Sequence, residues 1–393
     1  MSTLKVNTIE SETPNVTIAD GLTVTGVGTV TTLNTTSIVN NTPLSNRNII
    51  INGGMEVAQR GISTSITGYG YHTVDRFHTV ANSSMTYDVT MSQEDDNPDG
   101  VGKCVKLLTN AVKTPSGSEN YILRYRGEQQ DIARVGFGTA QSKTLTVSFS
   151  VKSNKTGTFG FQFYLKNFNP SMTVAYTISS ANTWERKSIS IPAYTTAYSP
   201  NADNARGFDI DWNLSSGPDD IIDPFAWQSA STAARGVTGQ VNMLDTVGNY
   251  FCLTNVQVEL GDVATPFEYR SFAETKRNCM RYFEKIANGK DLGNSYYYFG
   301  PGYFEDDTNL RGLIDYKEEK RATPTITFAA ASRFNAINTG SMPSGSSIST
   351  QYINTCNTGY TLVAGNVSGR DGQGGLLVAN NNDDAFVDVD AEL

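Results

Sequence analysis

The sequence predicts an all-β protein: a jelly-roll β-sandwich followed by one connecting helix and a second, smaller β-sandwich, with an extended β-rich arm in front. Three observations predict it. Apolar and polar residues alternate over whole strand lengths, Gly and Asn interrupt the chain at short intervals, and a single stretch has helical spacing instead. With 393 residues, 38% of them hydrophobic, the chain can fill more than one core.

Residues 1–46 carry apolar pairs in short bursts, Leu4/Val6, Val16/Ile18 and Leu22/Val24, each too small to bury its own face. Their β-branched content argues against plain disorder, so the arm is expected to dock on a particle or pair between chains. A first domain is expected over 47–270. There Leu145, Val147, Phe149 and Val151 alternate with Thr144, Thr146, Ser148 and Ser150; Phe159, Phe161, Phe163 and Leu165 alternate with polar or small partners; and Phe208, Ile210, Trp212 and Leu214 alternate with Asp209, Asp211 and Asn213. Each run predicts a strand with one buried and one wet face. Ser271 and Glu274 have capping-box spacing, and Cys279, Phe283 and Ile286 share a stripe, which predicts a connecting helix over 271–288 that stops near Gly289. A C-terminal sandwich is expected over 289–393, with a Ser/Gly-rich mobile loop from Asn338 to Ser349.

A net charge of -9 argues against a nucleic-acid partner, which needs clustered Lys and Arg. The opening residues lack a signal-peptide run and no stretch has transmembrane length, so assembly in a host cytoplasm without membrane insertion is expected. Cys104, Cys252, Cys279 and Cys356 lie far apart and read as free thiols, not as a metal or redox site. His72 and His78 are the two imidazoles, too few for a convincing metal set.

Three stretches resemble a known family. Asn46 to Gly61, with Tyr71-His72-Thr73-Val74-Asp75-Arg76-Phe77, is similar to the opening of the carbohydrate-binding-like jelly-roll domain of bacteriophage tail-fibre and appendage proteins, although Ala58 stands where those proteins carry Trp. Leu253 to Arg270 looks like that domain's last strand and exit, and its continuation through Cys279, Arg281 and Tyr282-Phe283 is similar to the helix that follows. Arg321-Ala322-Thr323-Pro324-Thr325-Ile326, with the closing Asp390-Ala391-Glu392-Leu393, resembles the C-terminal β domain of the same proteins. The resemblance implies a virion component, a homo-oligomer and often a trimer, located on a tail or capsid. It carries no catalytic or receptor-contact residue. Read physically, Asn52-Gly53-Gly54 suits a tight bend, and Arg60, Asp75 and Arg76 could tie the first strands together.

Candidate chemistry is sparse. Asp95-Asp96-Asn97-Pro98-Asp99-Gly100 opens like a calcium loop, but Lys106 stands where a bidentate Glu is needed. Asp203, Asp209, Asp211, Asp219, Asp220 and Asp223 could be read as glycosidase carboxylates, yet strand faces in water would leave them without the raised pKa of a general acid. No nucleophile elbow is present. No catalytic residue, metal or cofactor is therefore expected. Glycan recognition needs only aromatic faces beside hydroxyl-binding polar groups. Trp184 and Trp212 read as core; Trp227, in the aperiodic stretch 215–236, and Tyr296, Tyr298 and Tyr303 are the candidate ligand contacts. The expected function is a tail-fibre or spike subunit, anchored to other virion proteins by residues 1–46 and presenting its sandwiches to host surface polysaccharide. The alternative is a head-decoration or tail-adaptor protein that binds no glycan.

Overall fold

The alternating runs form strands as predicted. In the computed structural model Leu145, Val147, Phe149 and Val151 are fully buried on the strand Leu145–Ser153, and so are Phe159, Phe161 and Phe163 on Gly157–Leu165 and Phe208, Ile210 and Trp212 on Arg206–Ser216. The structure describes residues 46–393 except 82–84, 167–169, 197–202, 230–233, 287–296, 339–342, 366–369 and 381–383; the anchoring arm lies outside the described residues.

Two antiparallel sheets face each other across this core. One has six strands in the order Ser63–Ile66, Val89–Glu94, Cys104–Thr109, Tyr250–Leu260, Leu145–Ser153, Glu185–Ile191. The other has seven, in the order Phe225–Ser229, Pro170–Ile178, Gly157–Leu165, Arg206–Ser216, Asn120–Glu128, Phe77–Ala81, Gly70–Tyr71. Neighbours are mostly distant in sequence, the connectivity of a jelly-roll sandwich. Trp212 is boxed in by Phe77, Phe149 and Phe161, with ring centroids 5.6–6.2 Å away.

The expected wet faces are not wet. Ser148, Asp209, Asp211 and Asn213 are as buried as their apolar neighbours. Other chain and long side chains of neighbouring strands cover them, and the polar atoms find partners there: the Thr146 hydroxyl donates to the Gly261 carbonyl at 2.8 Å, Ser148 accepts from Arg186 of the adjacent strand at 2.8 Å, and Arg124 and Arg206 bind Asp211 and Asp209.

The helix is shorter than predicted. Ser271 caps it by accepting from the Glu274 amide at 3.2 Å, but the helix spans only Phe272–Met280. Phe283–Ile286 is instead a strand, paired with Val387–Asp390, which also pairs with Thr325–Phe328. Beside this three-stranded sheet stands a six-stranded one in the order Phe334–Ile337, Gly374–Ala379, Tyr298–Phe304, Asn309–Asp315, Asn357–Ala364, Gly345–Ile353. The last of these occupies part of the expected mobile loop. Phe304, Leu310, Phe334, Tyr360, Leu377 and Val387 belong to the second core.

Residues 41–393 nonetheless form one compact unit, and the three family-like stretches meet where its two cores adjoin. Arg76 is fully buried. Its guanidinium lies 3.4 Å over the Tyr282 ring and 5.3 Å from that of Tyr125, donates to the Arg126 carbonyl at 2.5 Å, and pairs with Glu392. Arg60 lies 3.6 Å over Phe283 and pairs with Asp390 at 3.1 Å and Glu392 at 3.5 Å. Gln59 donates through its side chain to Asp75 and to the Phe283 carbonyl, both at 2.6 Å. Burial pushes the buried Asp75 carboxyl up to about 6. Arg321 donates to the carbonyls of Ala391, at 2.8 Å, and Glu392, at 3.1 Å. Arg60 and Arg76 therefore bind the jelly roll to the helix exit and the C-terminal tail, as well as to their own strands. The helix ends early because Tyr282 and Phe283 must lie under these two arginines.

Gly53 has a different role from the one expected. The left-handed residues of the bend are Asn52 (φ 61°) and Met55 (φ 59°), whereas a Cβ on Gly53 would stand 2.1 Å from the Val256 carbonyl oxygen. The glycine lets the first turn lie against the last strand of the sandwich.

Glu392→Gln leaves the Arg76 charge buried without its counterion, so it should cost about 3–5 kcal/mol of stability in urea unfolding. A loss below about 1 kcal/mol would show that the ion pair does not hold the junction.

Candidate functional site

The outer face of the six-stranded C-terminal sheet is the surface that best suits a ligand. The strand Tyr298–Phe304 turns Phe299 and Phe304 into the core and Tyr303 outward. Its neighbours are in register, with Tyr303 opposite Arg311, Gly302 opposite Gly312, and Leu313 opposite Gly359. Tyr303 is 52% exposed and Tyr352, on the edge strand, 80%. Between them runs a groove of about 480 Å³ lined by Tyr303, Arg311, Leu313, Gln351, Tyr352 and Asn357.

Glycines shape it. A Cβ on Gly312 would stand 2.3 Å from the Tyr360 hydroxyl, so this glycine lets the buried Tyr360 ring pass beneath the groove, where its hydroxyl meets the Pro301 carbonyl at 3.3 Å. Gly359 adds no side chain opposite Leu313, which leaves backbone as part of the floor. Arg311 pairs with Glu305 at 2.6 Å, so its charge is balanced at the rim. The Asn357 side chain accepts from Asn354 at 2.9 Å, which holds the end of this strand against the turn before it. Two tyrosine rings, a carboxamide on each of Gln351 and Asn357, and a guanidinium thus line one shallow channel. The described lining holds no carboxylate and no imidazole.

The sequence-predicted contacts are only partly brought together. Tyr303 lines the groove. Tyr298 is 61% exposed on the same strand but lies beyond a register irregularity between Tyr298 and Gly300, and it does not line the groove. Tyr296 lies outside the described residues. Trp227 is placed differently from the expectation. It sits on the edge strand Phe225–Ser229, its indole donates to the Pro192 carbonyl at 3.0 Å, and it packs edge-on against Phe137, Phe163 and Tyr194 at 5.3–6.3 Å. An indole held on three rings packs half-buried against the first core and is not a free platform. Sequence reading missed Tyr352, Gln351, Asn357 and Arg311. No periodic signal marked them: Ile348 faces the core, a register irregularity between Thr350 and Ile353 spans the outward-turned Tyr352, and Arg311 and Asn357 come from two other strands.

The other candidates resolve into structure. Asp95 pairs with Lys103, Asp96 with Lys152 and the Trp184 indole, and Asp99 with Tyr269, so the calcium-like loop spends its carboxylates in three directions. Trp184, expected in the core, is half-buried, with the Lys152 ammonium 5.1 Å from its ring. Among the described residues no group of three His, Cys, Asp or Glu is placed to hold a metal ion. Asp209 and Asp211, far from lying in water, are buried and gripped by arginines: Arg124 binds Asp211 through two hydrogen bonds of 2.5 and 2.6 Å, and Arg206 binds Asp209. Carboxylates already held by guanidinium forks are poorly suited to proton transfer. His78 is buried beside four arginines, which together with burial lower its pKa well below the ordinary histidine value; the same positive field opposes a divalent cation there.

No protein-family model and no curated protein sequence matches the chain. Solved structures are similar to part of the chain. A bacteriophage CBA120 tailspike protein 4, enzymatically active domain, is 14% identical over 55% of this chain and 21% of its own, with a TM-score of 0.31. A family 11 carbohydrate-binding module of a Clostridium thermocellum cellulase is 12% identical over 51% of this chain and 97% of its own, TM-score 0.27. A putative sugar binding protein from Bacteroides thetaiotaomicron is 10% identical over 55% and 100%, TM-score 0.31. The likeness bears on none of the residues described above.

Trp227→Ala should cost about 2–4 kcal/mol in urea unfolding, because three ring contacts and a cavity are at stake. Tyr303→Ala and Tyr352→Ala should stay within about 0.5 kcal/mol of the parent chain. A neutral Trp227→Ala would contradict its packing against the first core.

Proposed function

We propose that the chain is a bacteriophage appendage subunit that recognises a glycan of the host surface through the Tyr303/Tyr352 groove, without cleaving it. The observation that carries this reading is the pair of exposed tyrosine rings across a shallow channel whose polar atoms come from Gln351, Asn357 and Arg311. Sugar rings present apolar faces and peripheral hydroxyls, and such a channel offers a partner for each. The lining of the groove supports binding without hydrolysis, since cleavage of a glycosidic bond calls for a carboxyl pair.

The virion placement, anchoring through residues 1–46 and trimeric assembly belong to the same proposal. The resemblance of Asn46–Gly61, Leu253–Arg270 and Asp390–Leu393 to appendage proteins supports them. A shallow site gains from several copies, because linked weak contacts multiply.

One observation favours the rival reading, an adaptor or decoration protein without glycan contact. Leu376 lies opposite Pro301 on the neighbouring strand, and Leu376 and Leu313 are 37% and 41% exposed, so the apolar surface extends past the groove.

On an array of host envelope polysaccharides the multimeric chain should bind. Tyr303→Ala and Tyr352→Ala should each weaken binding about tenfold, equivalent to ~1.4 kcal/mol, while Tyr298→Ala should leave it unchanged. Absence of binding to every polysaccharide, or binding indifferent to both groove variants, favours the adaptor.

A further inference from the structure

Across the seven-stranded sheet, cross-strand registers line up two polar rows on its outer face. One runs Tyr71, His78, Arg124, Asp211, Gln162, Thr173; the next runs Arg126, Asp209, Tyr164, Ser171. The first row is a sealed floor, with His78, Arg124, Asp211, Gln162 and Thr173 all buried. Arg126, Arg206 and Arg235 stand over this floor with side chains 22%, 24% and 39% exposed, beside the half-buried Tyr164 ring.

These guanidiniums are not equally satisfied. Arg124 and Arg206 bind Asp211 and Asp209 through paired hydrogen bonds and fill both carboxylates. The Arg235 guanidinium comes no closer than 3.9 Å to Asp211 and Asp220, and Asp220 is already engaged by Asn120 at 3.1 Å, Ser216 at 3.0 Å and the Arg235 backbone amide at 3.3 Å. Arg126 stands 3.8 Å from Asp209 and donates to the Leu393 backbone oxygen. The Nε atoms of Arg126 and Arg235 are buried with no hydrogen-bond partner among the described residues. The Nε atoms of Arg47, Arg76, Arg270 and Arg311 are in the same state, so what sets this face apart is the part-exposed Arg235 guanidinium, which no hydrogen bond joins to an acceptor among the described residues. Four arginines, Arg124, Arg126, Arg206 and Arg235, share this face with three carboxylates, Asp209, Asp211 and Asp220, so it keeps an excess of positive charge although the chain as a whole is negative.

We infer that the outer face of the seven-stranded sheet is a second saccharide site, one that takes a carboxylate-bearing sugar, its carboxylate on Arg235 and Arg126 and its ring beside Tyr164. A planar guanidinium fork matches a carboxylate through two parallel hydrogen bonds, and a tyrosine ring suits the face of a pyranose. The site is separate from the C-terminal groove and does not rest on it.

Calorimetric titration of the full chain with an oligogalacturonate tetramer tests the inference, with cellotetraose and a glycerol-phosphate oligomer as comparison probes. Binding of the tetragalacturonate is expected to weaken several-fold between roughly 50 and 300 mM salt. Arg235→Gln, at an exposed position that leaves both buried ion pairs intact, should weaken it about tenfold or more. Tyr164→Ala should weaken it as well, and Tyr303→Ala should not. Failure of the tetragalacturonate to bind, equal affinity for cellotetraose, full affinity in Arg235→Gln, or preference for the glycerol-phosphate oligomer would each overturn the assignment. The groove reading would survive any of these results, because it is judged by Tyr303 and Tyr352.

Discussion

Arg76 is the interaction on which the rest of the structure depends. Taking a guanidinium out of water is costly unless its charge is met, and here two tyrosine rings and Glu392 meet the charge while Nη1 donates to Glu392 and Nη2 to a main-chain carbonyl. The partners come from three parts of the chain: Tyr125 from the jelly roll, Tyr282 from the helix exit, and Glu392 from the C-terminal tail. None of these parts can leave without stranding the charge. Arg60 repeats the arrangement one layer outward with Phe283, Asp390 and Glu392. A second buried pair, Lys320 with Glu284 at 2.6 Å, fixes the strand after the helix from the other side, the lysine also donating to the Met280 and Glu318 carbonyls. Two sandwiches on a flexible joint would present their surfaces at variable angles; this junction gives residues 41–393 a single arrangement.

That constraint matters to function because the two candidate binding surfaces lie on different parts of the unit. The C-terminal groove is floored by backbone and its Arg311 is balanced by Glu305; the outer face of the seven-stranded sheet is polar, with four arginines against three carboxylates. As the two proposed saccharide sites, they would suit different portions of a polysaccharide. Held by a fixed junction, neither has to lose inter-domain freedom when the other is engaged, and a repeated polymer presented on a surface can meet both.

Much of the fold was legible in the sequence because the dominant signal is local. Period-two runs at 145–151, 159–165 and 208–214 fixed strands and their inward faces, and Ser271 marked the helix start through its own hydroxyl. What escaped is non-local. The fate of Tyr282 and Phe283 depends on Arg76 and Arg60, some two hundred residues earlier, so a helical stripe through Phe283 looked sound until its partners were known. Polar residues on the outer strand faces appeared wet because the covering chain, such as Gly261 over Thr146, comes from elsewhere in the sequence. At the groove, Tyr303 was visible as an aromatic on a strand, whereas Tyr352 lay in a Ser-rich segment that resembles a loop by composition. Trp227 misled for the opposite reason: small neighbours suggested a free ring, yet Phe137, Phe163 and Tyr194 reach it from three other elements.

If buried ionic and cation–π contacts weld the two cores, they must open together. Native-state hydrogen exchange, read by mass spectrometry on the central strands Leu145–Ser153 and Asn309–Asp315, compares them directly. The account predicts that the slowest amides of both strands exchange through one global opening of equal free energy. A C-terminal sheet whose amides all exchange through a separate, cheaper opening while the jelly roll stays protected would contradict it.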